Sequence, residues 1–484
     1  MKKHQLNWKT WAVGSIILLL IIVTGNDYYR ISQYKSFPIK PKHGLQTFES
    51  KVYYDLVKGE QPIEWSQLDN TLAFIENQYD CSDFRFVNLT RILYEFEDQI
   101  PSDYKSKIEK VIFNFRYWWD EPGENSMCYW SENHQILFAS AEYLMGQKYP
   151  DVIFPNSKLS GKQHMEKAQV RILDWLNMRW QYGFTEFYSS VYYKEDVAAL
   201  INLIDFSTNE EVRIKSQIVM DLLFYDVASQ NCKGMFISAS GRAYESNRKG
   251  GLDATLGGVT QYYWGNGQEI DPSLMYGLMV TKKYHLPAVL REIGLDSSSV
   301  VIKQSNGLEV QDLESEGFHT KNDHGMMMQW GMEAFVNPVI IRNSLAHIRQ
   351  SNMFSNQFIS DFKWLDFTVL RTLRLEPFLM KVMDSQFQGT AIQKGNTYTY
   401  KTKDYSLYTV QGYHPGEYAD QHHISGMNIK NNFAIFHAHP AVSKTKETVS
   451  PSYWVGYGHL PHSVQSENVN LSIYNIPTNK GLME

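Results

Sequence analysis

The sequence predicts a mainly α protein, in which an all-α domain precedes a mostly antiparallel β domain. From residue 65 onward, apolar residues recur at helical spacing in one segment after another, as at Val170, Leu173 and Leu176. Beyond about residue 295, apolar and polar residues alternate instead, as in 405–410 and 469–474. Helices that come first and strands that come second indicate separate α and β parts rather than repeated βα units.

Domain limits follow from the same patterns. Breaks containing Pro or Gly separate the helical segments, so neighbouring helices should form antiparallel hairpins. We assign the helical domain to 65–295, with an alternative end near residue 375, and the β domain to 376–484. The interval 27–64 is expected to be an irregular linker because three prolines punctuate it. They are Pro38, Pro41 and Pro62.

The amino terminus, residues 1–26, has the composition of an export signal or of a membrane anchor. Lys2, Lys3 and Lys9 precede the uncharged run 11–25. This run fits a signal-peptide hydrophobic region, and it is short for a membrane span of about 20 residues. Both interpretations place the body outside the cytoplasm. We therefore expect a periplasmic, extracellular or membrane-anchored protein.

Composition narrows the possible partners. The formal net charge of -6, without a basic stripe, argues against nucleic-acid binding. Trp and Tyr in this abundance, 12 and 31 residues, are common in proteins that stack on sugar rings, although both are also ordinary core residues.

The 3 cysteines allow at most one disulfide bridge, so at least one thiol stays free. We expect a monomer.

The first candidate site lies at the start of a predicted helix, in residues 127–136. Ser131 is suited to cap this helix, and apolar residues follow it at helical spacing. A structural helix needs neither Asn133 nor His134 in its first turn, so this pair predicts a catalytic site. The alternative is that both are satisfied polar groups of a tight turn. The neighbouring candidates for substrate binding are Trp130 and Glu132.

The second candidate site is the loop that follows a long helix, which breaks at Gly183. The next helix should begin near Ser190, so the loop collects aromatic and titratable side chains. Tyr192 is the candidate catalytic residue of this loop. The alternative is a buried aromatic corner in which Glu186 caps the next helix. The candidates for substrate binding are Arg179, Glu186, Tyr188 and Tyr193.

The third candidate site is the polar, Gly-rich loop 238–251. Arg242 could hold a carboxylate or a sulfate through its planar guanidinium. The loop lacks the Lys-Ser/Thr pattern of nucleotide-binding loops, so nucleotides are not expected. A solvated, salt-bridged loop is the alternative. The further candidates for substrate binding are Tyr244 and Glu245.

Histidines in the predicted β domain offer a candidate structural metal site. Alternating residues on one strand share a face, and imidazoles are common ligands of zinc. No acidic or cysteine partner is fixed at ligand spacing, so our main expectation is a protein without a cofactor. The four histidines are His422, His423, His437 and His439.

Two of these segments resemble toroidal polysaccharide lyases. Asn133-His134 at a helix start resembles the Asn-His pair of alginate lyases that have an (α/α) toroid. Ser189-Ser-Val-Tyr192, after Gly183 and Glu186, resembles the Gly…Glu…Ser-x-x-Tyr segment of heparinase II/III-type lyases. The order of domains is similar to these families and to chondroitin and hyaluronate lyases. The resemblance implies an incomplete (α/α) toroid of antiparallel helical hairpins, followed by an antiparallel, sandwich-like β domain.

The sequence also departs from these families. The Asn-Asn-His of the alginate lyases reads Glu132-Asn133-His134 here, and the histidine that follows the heparinase tyrosine is Tyr193. The segment Trp-Ser-Glu-Asn-His at 130–134 also resembles bacterial proteins without an assigned activity, so a divergent function is an alternative.

The resemblance implies β-elimination beside a uronate carboxylate. Charge accumulates on that carboxylate, and Asn133 together with an arginine such as Arg242 can neutralise it. Tyr192 or His134 can remove the C5 proton, and a nearby arginine favours a tyrosine phenolate. The same tyrosine can return a proton to the leaving oxygen. The expected partner is an acidic polysaccharide.

Two other functions fit the same residues. A glycoside hydrolase on the helical ring would use two carboxyl groups, chosen from Glu132, Glu186 and Glu245, and their spacing would set its stereochemistry. A glycan-binding or surface-assembly protein without catalysis would explain the aromatic content and the departures from the lyase motifs.

Overall fold

The computed structural model is about half helical and has a separate antiparallel β-sheet region, which confirms the coarse prediction of helical and antiparallel β parts. It describes residues 8–244, 247, 256–265, 274–383, 391–413, 422–429, 433–437 and 460–475. Within these residues the helices are α1 (Trp8–Ser32), α2 (Glu49–Lys58), α3 (Leu68–Glu76), α4 (Ser82–Glu95), α5 (Ser102–Asn114), α6 (Glu132–Lys148), α7 (Gly161–Tyr182), α8 (Tyr193–Phe206), α9 (Glu210–Gln230), α10 (Gly257–Trp264), α11 (Tyr276–Val280), α12 (Ala288–Leu295), α13 (Asp323–Gly331), α14 (Ile341–Gln350), α15 (Thr368–Leu373) and α16 (Glu376–Val382). The strands are β1 (Val300–Asn306), β2 (Gly395–Lys401), β3 (Tyr405–Val410), β4 (Ser425–Ile429), β5 (Phe433–Phe436), β6 (His462–Ser466) and β7 (Val469–Ile473).

Helix α6 is buried along almost its whole length. It packs against α4, α7 and α8, which cover apolar side chains on every face, among them Ile136, Leu137 and Phe138. A helix enclosed by its neighbours needs no polar face, so its buried polar side chains must find partners inside the protein. The first turn of α6 carries such side chains at the place where sequence patterns predict a site.

Helix α7 begins at a capping box, in which the side chains of Ser160 and Gln163 each bond the other's backbone N–H. It ends at Gly183, which has φ 69°. A Cβ at this position would lie 2.3 Å from Oδ1 of Asn306, so the close approach requires glycine. The break predicted at Gly183 is confirmed, and it directs residues 183–192 across the ends of the neighbouring helices.

The interval 27–64 differs from the irregular linker that its prolines predict. Helix α1 continues past residue 26 to Ser32, and α2 occupies Glu49–Lys58. Helix α2 forms because Val52, Tyr53 and Leu56 recur at helical spacing and are buried. The prolines lie in the connections before and after α2. The linker prediction is wrong because each proline disfavours a helix only near its own position, whereas the prediction extends this effect to the residues between the prolines.

Within the described residues, the main sheet contains five antiparallel strands in the order β1-β2-β3-β4-β5, and β6 pairs with β7. Strand β1 pairs with β2 along its length, from Val300 opposite Lys401 to Asn306 opposite Gly395. The described helices α13 to α16 lie between these two strands in the chain. The sheet therefore begins upstream of residue 376, with helices inserted after its first strand.

The helical part and the sheet meet beside the loop that follows α7. The hydroxyl of Tyr188 donates to Oε1 of Gln304 on β1 and lies 3.1 Å from Oγ1 of Thr397 on β2. Ser240 and His423 exchange two backbone hydrogen bonds, each 2.9 Å from N to O. These contacts fix the loops 183–192 and 238–244 against the strands.

Candidate functional site

Glu186 links the three predicted loops. One of its carboxylate oxygens accepts a hydrogen bond from Nη1 of Arg242 at 2.6 Å, and the other accepts from Nδ2 of Asn133 at 3.2 Å. Ser131, at the predicted N-cap position of α6, donates through its hydroxyl to Oδ1 of Asn133 at 2.9 Å. The structure therefore brings together Asn133, Glu186 and Arg242. All of these groups are largely shielded from solvent.

A second buried ion pair supports the loop that carries Glu186. One carboxylate oxygen of Glu132 accepts the backbone N–H of Glu186 at 3.0 Å, and the other pairs with Arg179. The guanidinium of Arg179 lies 5.4 Å from the ring centroid of Trp175. Glu132 and Arg179 are both buried. They therefore hold the loop in place from inside the protein and offer no surface for a substrate.

Arg242 connects the buried acids to the exposed edge of the site. Its Nη1 lies 3.3 Å from a carboxylate oxygen of Glu333. Its guanidinium lies 4.3 Å from the ring centroid of Tyr192, and its Nη2 donates to the hydroxyl of Tyr192 at 3.5 Å. The hydroxyl of Ser189 donates to the backbone carbonyl of Arg242 at 2.6 Å. One cation thus contacts two carboxylates and one phenol.

Tyr192 and Tyr244 form the solvent-facing edge of the site. Their hydroxyl oxygens lie 2.5 Å apart. Tyr192 is half-buried, and Tyr244 is 39% exposed. Burial raises the pKa of the Tyr192 phenol well above its ordinary value, although Arg242 opposes this by favouring the phenolate. Arg242 acts in the predicted direction, but the larger effect of burial leaves the phenol neutral at rest.

Burial also changes the titration of the acids beneath this edge. It raises the pKa of Glu186 to about 7, with opposition from Arg242 and reinforcement from Glu132 and Glu333. Burial, reinforced by the carboxylates of Glu132 and Glu186, raises the pKa of Asp196 well above its usual range. Asp196 therefore holds its proton more strongly than an ordinary aspartate, while Glu186 exchanges between carboxylic acid and carboxylate near pH 7.

His134 points away from its neighbour Asn133. Its Nδ1 lies 2.7 Å from Oδ2 of Asp83, and its ring stacks on Phe84 with the centroids 5.1 Å apart. Burial opposes the charged imidazolium, but Asp83 and Cys128 outweigh it and raise the pKa of His134 well above its ordinary value. An imidazolium paired with a carboxylate is a poor base. The predicted catalytic pair is thus divided between two environments.

Three aromatic residues of the predicted binding set lie inside the protein, as Glu132, Arg179 and Glu186 do. Trp130 packs edge-on against Trp330, with the ring centroids 5.7 Å apart. The hydroxyl of Tyr193 donates to Oδ2 of Asp226 at 3.0 Å and accepts the backbone N–H of Tyr188 at 2.9 Å. The hydroxyl of Tyr188 is bound to the sheet, as described above. These contacts match the aromatic-corner alternative. Glu245 lies outside the described residues.

Two residues near Arg242 were not among the predicted site residues. Glu333 follows the Met-rich helix α13, whose composition indicates only core, and it has φ 56°. His422 was considered only as a metal ligand. Its ring is buried and finds no hydrogen-bond partner among the described residues. Burial, with a contribution from Arg242, lowers its pKa to about 3, so the ring is neutral. The positive φ of Glu333 is an unusual backbone conformation, which often marks functional sites, but the sequence alone does not reveal it.

The predicted histidine metal site is only partly described. Nε2 of His423 lies 2.9 Å from the backbone carbonyl of Ala243, and Nε2 of His437 lies 2.9 Å from Oγ of Ser425. His439 lies outside the described residues. Elsewhere in the described residues, two groups have donor atoms close enough to hold a cation. They are Asp80, Cys81 and His134, and Glu121, Glu142 and His164.

Comparison with protein-family models, with curated proteins and with solved structures found no match to this chain. The chemistry of the site is therefore inferred from its own residues.

Proposed function

We propose that the protein is a polysaccharide lyase that cleaves a uronate-containing acidic polysaccharide by β-elimination. The proposal includes an incomplete (α/α) toroid built by the helices that precede the sheet. The observation that carries it is the guanidinium of Arg242 beneath the hydroxyl pair of Tyr192 and Tyr244. A cation next to a proton-transferring group at an exposed edge is the combination that β-elimination requires.

Arg242 would bind the uronate carboxylate. Its Nε has no hydrogen-bond acceptor among the described residues, so a donor remains for a ligand. Loss of the C5 proton moves negative charge onto the carboxylate, and a fixed cation stabilises that charge in a site of low polarity. Protonated Glu186 supports this role, because it releases Arg242 from one of its two carboxylate partners.

Tyr192 would transfer the proton. Once the phenol has released its own proton to solvent, the phenolate takes the proton from C5, the bond from C4 to the glycosidic oxygen breaks as a C4–C5 double bond forms, and the regenerated phenol gives that proton to the leaving oxygen. Arg242 favours the phenolate, and Tyr244 can share the proton across the 2.5 Å between the two hydroxyl oxygens. Entry of a sugar ring would have to bring C5 within hydrogen-bond reach of this pair.

Asn133 and His134 would act through other residues. Asn133 is fully buried, and its amide is committed to Glu186 and Ser131, so it orients the acid that partners Arg242. His134 and Asp83 join α6 to α4 by a buried pair. We therefore assign both residues positioning roles.

The decisive assay is incubation of the purified protein with alginate, hyaluronan, chondroitin and heparan. β-Elimination leaves an unsaturated uronate that absorbs in the ultraviolet, and the absorbance should rise with one of these substrates. New reducing ends without that absorbance would reject the lyase. Binding without any product would favour the glycan-binding alternative.

A retaining glycoside hydrolase is the second candidate, and one observation favours it. Glu186 and Glu333 approach the same nitrogen of Arg242, at 2.6 and 3.3 Å. Their carboxyl groups are therefore close to each other, and retaining hydrolases place two carboxyls about 5–5.5 Å apart. Glu186, with its pKa raised to about 7, would be the acid and Glu333 the nucleophile. Against this, Glu132 and Glu186 lie in a buried network rather than across an open cleft.

The pH dependence of activity separates the two candidates. As a lyase, the protein should gain kcat/KM with rising pH while the phenolate of Tyr192 becomes more abundant, and this gain should stop above about pH 7, because ionised Glu186 then repels the substrate carboxylate and holds Arg242. Glu186→Gln keeps the shape and removes the charge, so it should retain activity, and its kcat/KM should continue to rise above pH 7. The measurement is kcat/KM from pH 5 to 9 for both proteins. A folded Glu186→Gln variant that is inactive at every pH would indicate the hydrolase.

A further inference from the structure

Helix α1 carries an apolar surface that the rest of the chain leaves uncovered. Residues Trp11–Ser32 are long and apolar enough to cross a membrane, and only 6% of the most apolar window is buried in the structure. From Lys9 to Tyr28 the helix extends about 30 Å, close to the thickness of a bilayer core. Tyr28 and Tyr29 are exposed at its carboxyl end, where aromatic residues mark membrane interfaces.

The carboxyl end of α1 is fastened to one segment of the body. Both carboxylate oxygens of Asp27 accept hydrogen bonds from Thr368, at 2.7 and 3.0 Å. Nη1 of Arg30 lies 2.6 Å from Oδ2 of Asp366, which is fully buried. The rings of Tyr28 and Trp364 are 6.1 Å apart. The environment that surrounds Tyr28 must therefore also adjoin the segment that contains Trp364, Asp366 and Thr368.

The outer face of residues 360–383, here called the 360–383 surface, exposes several large apolar side chains. Among them, Phe378 is 62% exposed. An open groove of about 520 Å³ lies between α1 and Phe367, lined almost entirely by apolar side chains. Large exposed apolar residues grouped in one segment, beside such a groove, are typical of interaction sites. The other exposed apolar side chains are Trp364, Leu373, Val382 and Met383.

The charges on the same surface are mostly positive. Of the cations, Arg374 and Lys381 are exposed and Lys363 is half-buried. Arg371 pairs with the buried carboxylate of Asp366 at 3.5 Å, and Glu376 is buried. The remaining acid, Asp361, is exposed. This cluster of cations contrasts with the net charge of -6 for the chain. Basic residues among exposed apolar ones are the pattern of helices that lie in the interface of an anionic bilayer.

We propose that the 360–383 surface rests in the headgroup layer of the anionic bilayer that α1 spans. The apolar side chains enter the upper acyl region beside α1, and the cations Lys363, Arg374 and Lys381 contact lipid phosphates. Because Asp27 and Arg30 fix the segment to the end of α1, insertion of the helix and docking of the surface occur together. The body is then held in one orientation on the membrane, rather than tethered loosely through a linker.

The test uses the full chain in nanodiscs of phosphatidylcholine and phosphatidylglycerol. A nitroxide is attached at Phe378→Cys or Val382→Cys in a Cys81→Ser background, since Cys128 and Cys232 are buried. The matched control is Val170→Cys on α7, which is also 62% exposed. Power saturation with oxygen, which partitions into lipid, and with a water-soluble nickel complex reports the depth of each label.

We expect the labels at 378 and 382 to collide mainly with oxygen, and the label at 170 to collide mainly with nickel. The triple variant Lys363→Glu, Arg374→Glu and Lys381→Glu, which leaves the pair of Arg371 with Asp366 intact, should move the label at 378 towards nickel. Labels at all three positions that favour nickel would overturn the proposal, as would shielding of 378 from both reagents, which indicates a protein contact. An unchanged depth in the triple variant would overturn the lipid-phosphate contact. Loss of α1 from the mature protein, read from its intact mass, would overturn it as well.

Discussion

Tyr192→Phe is expected to lower kcat by about 10²–10⁴-fold, the range that a positioned proton-transfer group contributes. The change removes one hydroxyl and keeps the ring that stacks on Arg242. KM and the thermal unfolding midpoint should therefore stay close to those of the unmodified protein. The measurement is the initial rate of unsaturated uronate formation on the substrate found in the assay, together with a melting curve.

The controls for Tyr192→Phe are two other tyrosines. Tyr225→Phe removes a hydroxyl from α9, outside the site, and should leave kcat unchanged. Tyr244→Phe removes only the partner of Tyr192, so an intermediate loss of kcat is expected. Nearly full activity of Tyr192→Phe would reject it as the base and direct attention to Tyr244 or to the neutral imidazole of His422. A large fall in the melting temperature would instead identify Tyr192 as a structural residue.

Local periodicity predicts much of the fold. The apolar stripes predict α6 and α7 and the break between α7 and α8, and alternation predicts β3 and β7. These features are set by residues that lie close together in the sequence, so a sequence pattern can reveal them. Helix α2 was missed because Pro38 and Pro41 dominate the composition of its interval. The pairing of β1 with β2 is set by contacts across the inserted helices, so no local pattern reveals it.

The candidate site was predicted in part, for a related reason. A sequence identifies residue types and spacing, which indicated Asn133, Glu186 and Arg242. It does not show the direction in which each side chain points. Consecutive residues on a helix are rotated by about 100°, so Asn133 faces Glu186 while His134 faces Asp83. Glu333 reaches Arg242 from a segment with no motif, and only tertiary packing reveals that contact.

Burial explains both why this site is stable and why single substitutions in it are expected to be destabilising. Arg242 and Arg179 are each paired with a buried carboxylate, and a charge taken out of water remains favourable only while its partner is present. A site arranged in this way keeps its geometry without a bound ligand. Single changes to its charged members therefore affect folding and activity together, and paired changes are needed to separate the two.

Arg242→Met is expected to lower the free energy of unfolding by about 3–5 kcal/mol, because it leaves Glu186 without its cation. The loss should depend on pH. The pKa of Glu186 is already raised to about 7, above that of an unfolded chain, and loss of Arg242 raises it further. The folded state then binds more protons than the unfolded state, so stability increases as pH falls. Denaturant unfolding at pH 5 and pH 8 should show the smaller loss at pH 5.

The double variant Arg242→Met with Glu186→Gln separates the structural role of Arg242 from its role in catalysis. It replaces the buried pair by two neutral groups of similar volume, so most of the lost stability should return at pH 8. Activity should not return, because no cation remains to hold the substrate carboxylate. A double variant as unstable as Arg242→Met alone would show that the pair with Glu186 is not what stabilises this region. A stable and active double variant would remove Arg242 from the proposed mechanism, since the uronate carboxylate would then have been neutralised by another group.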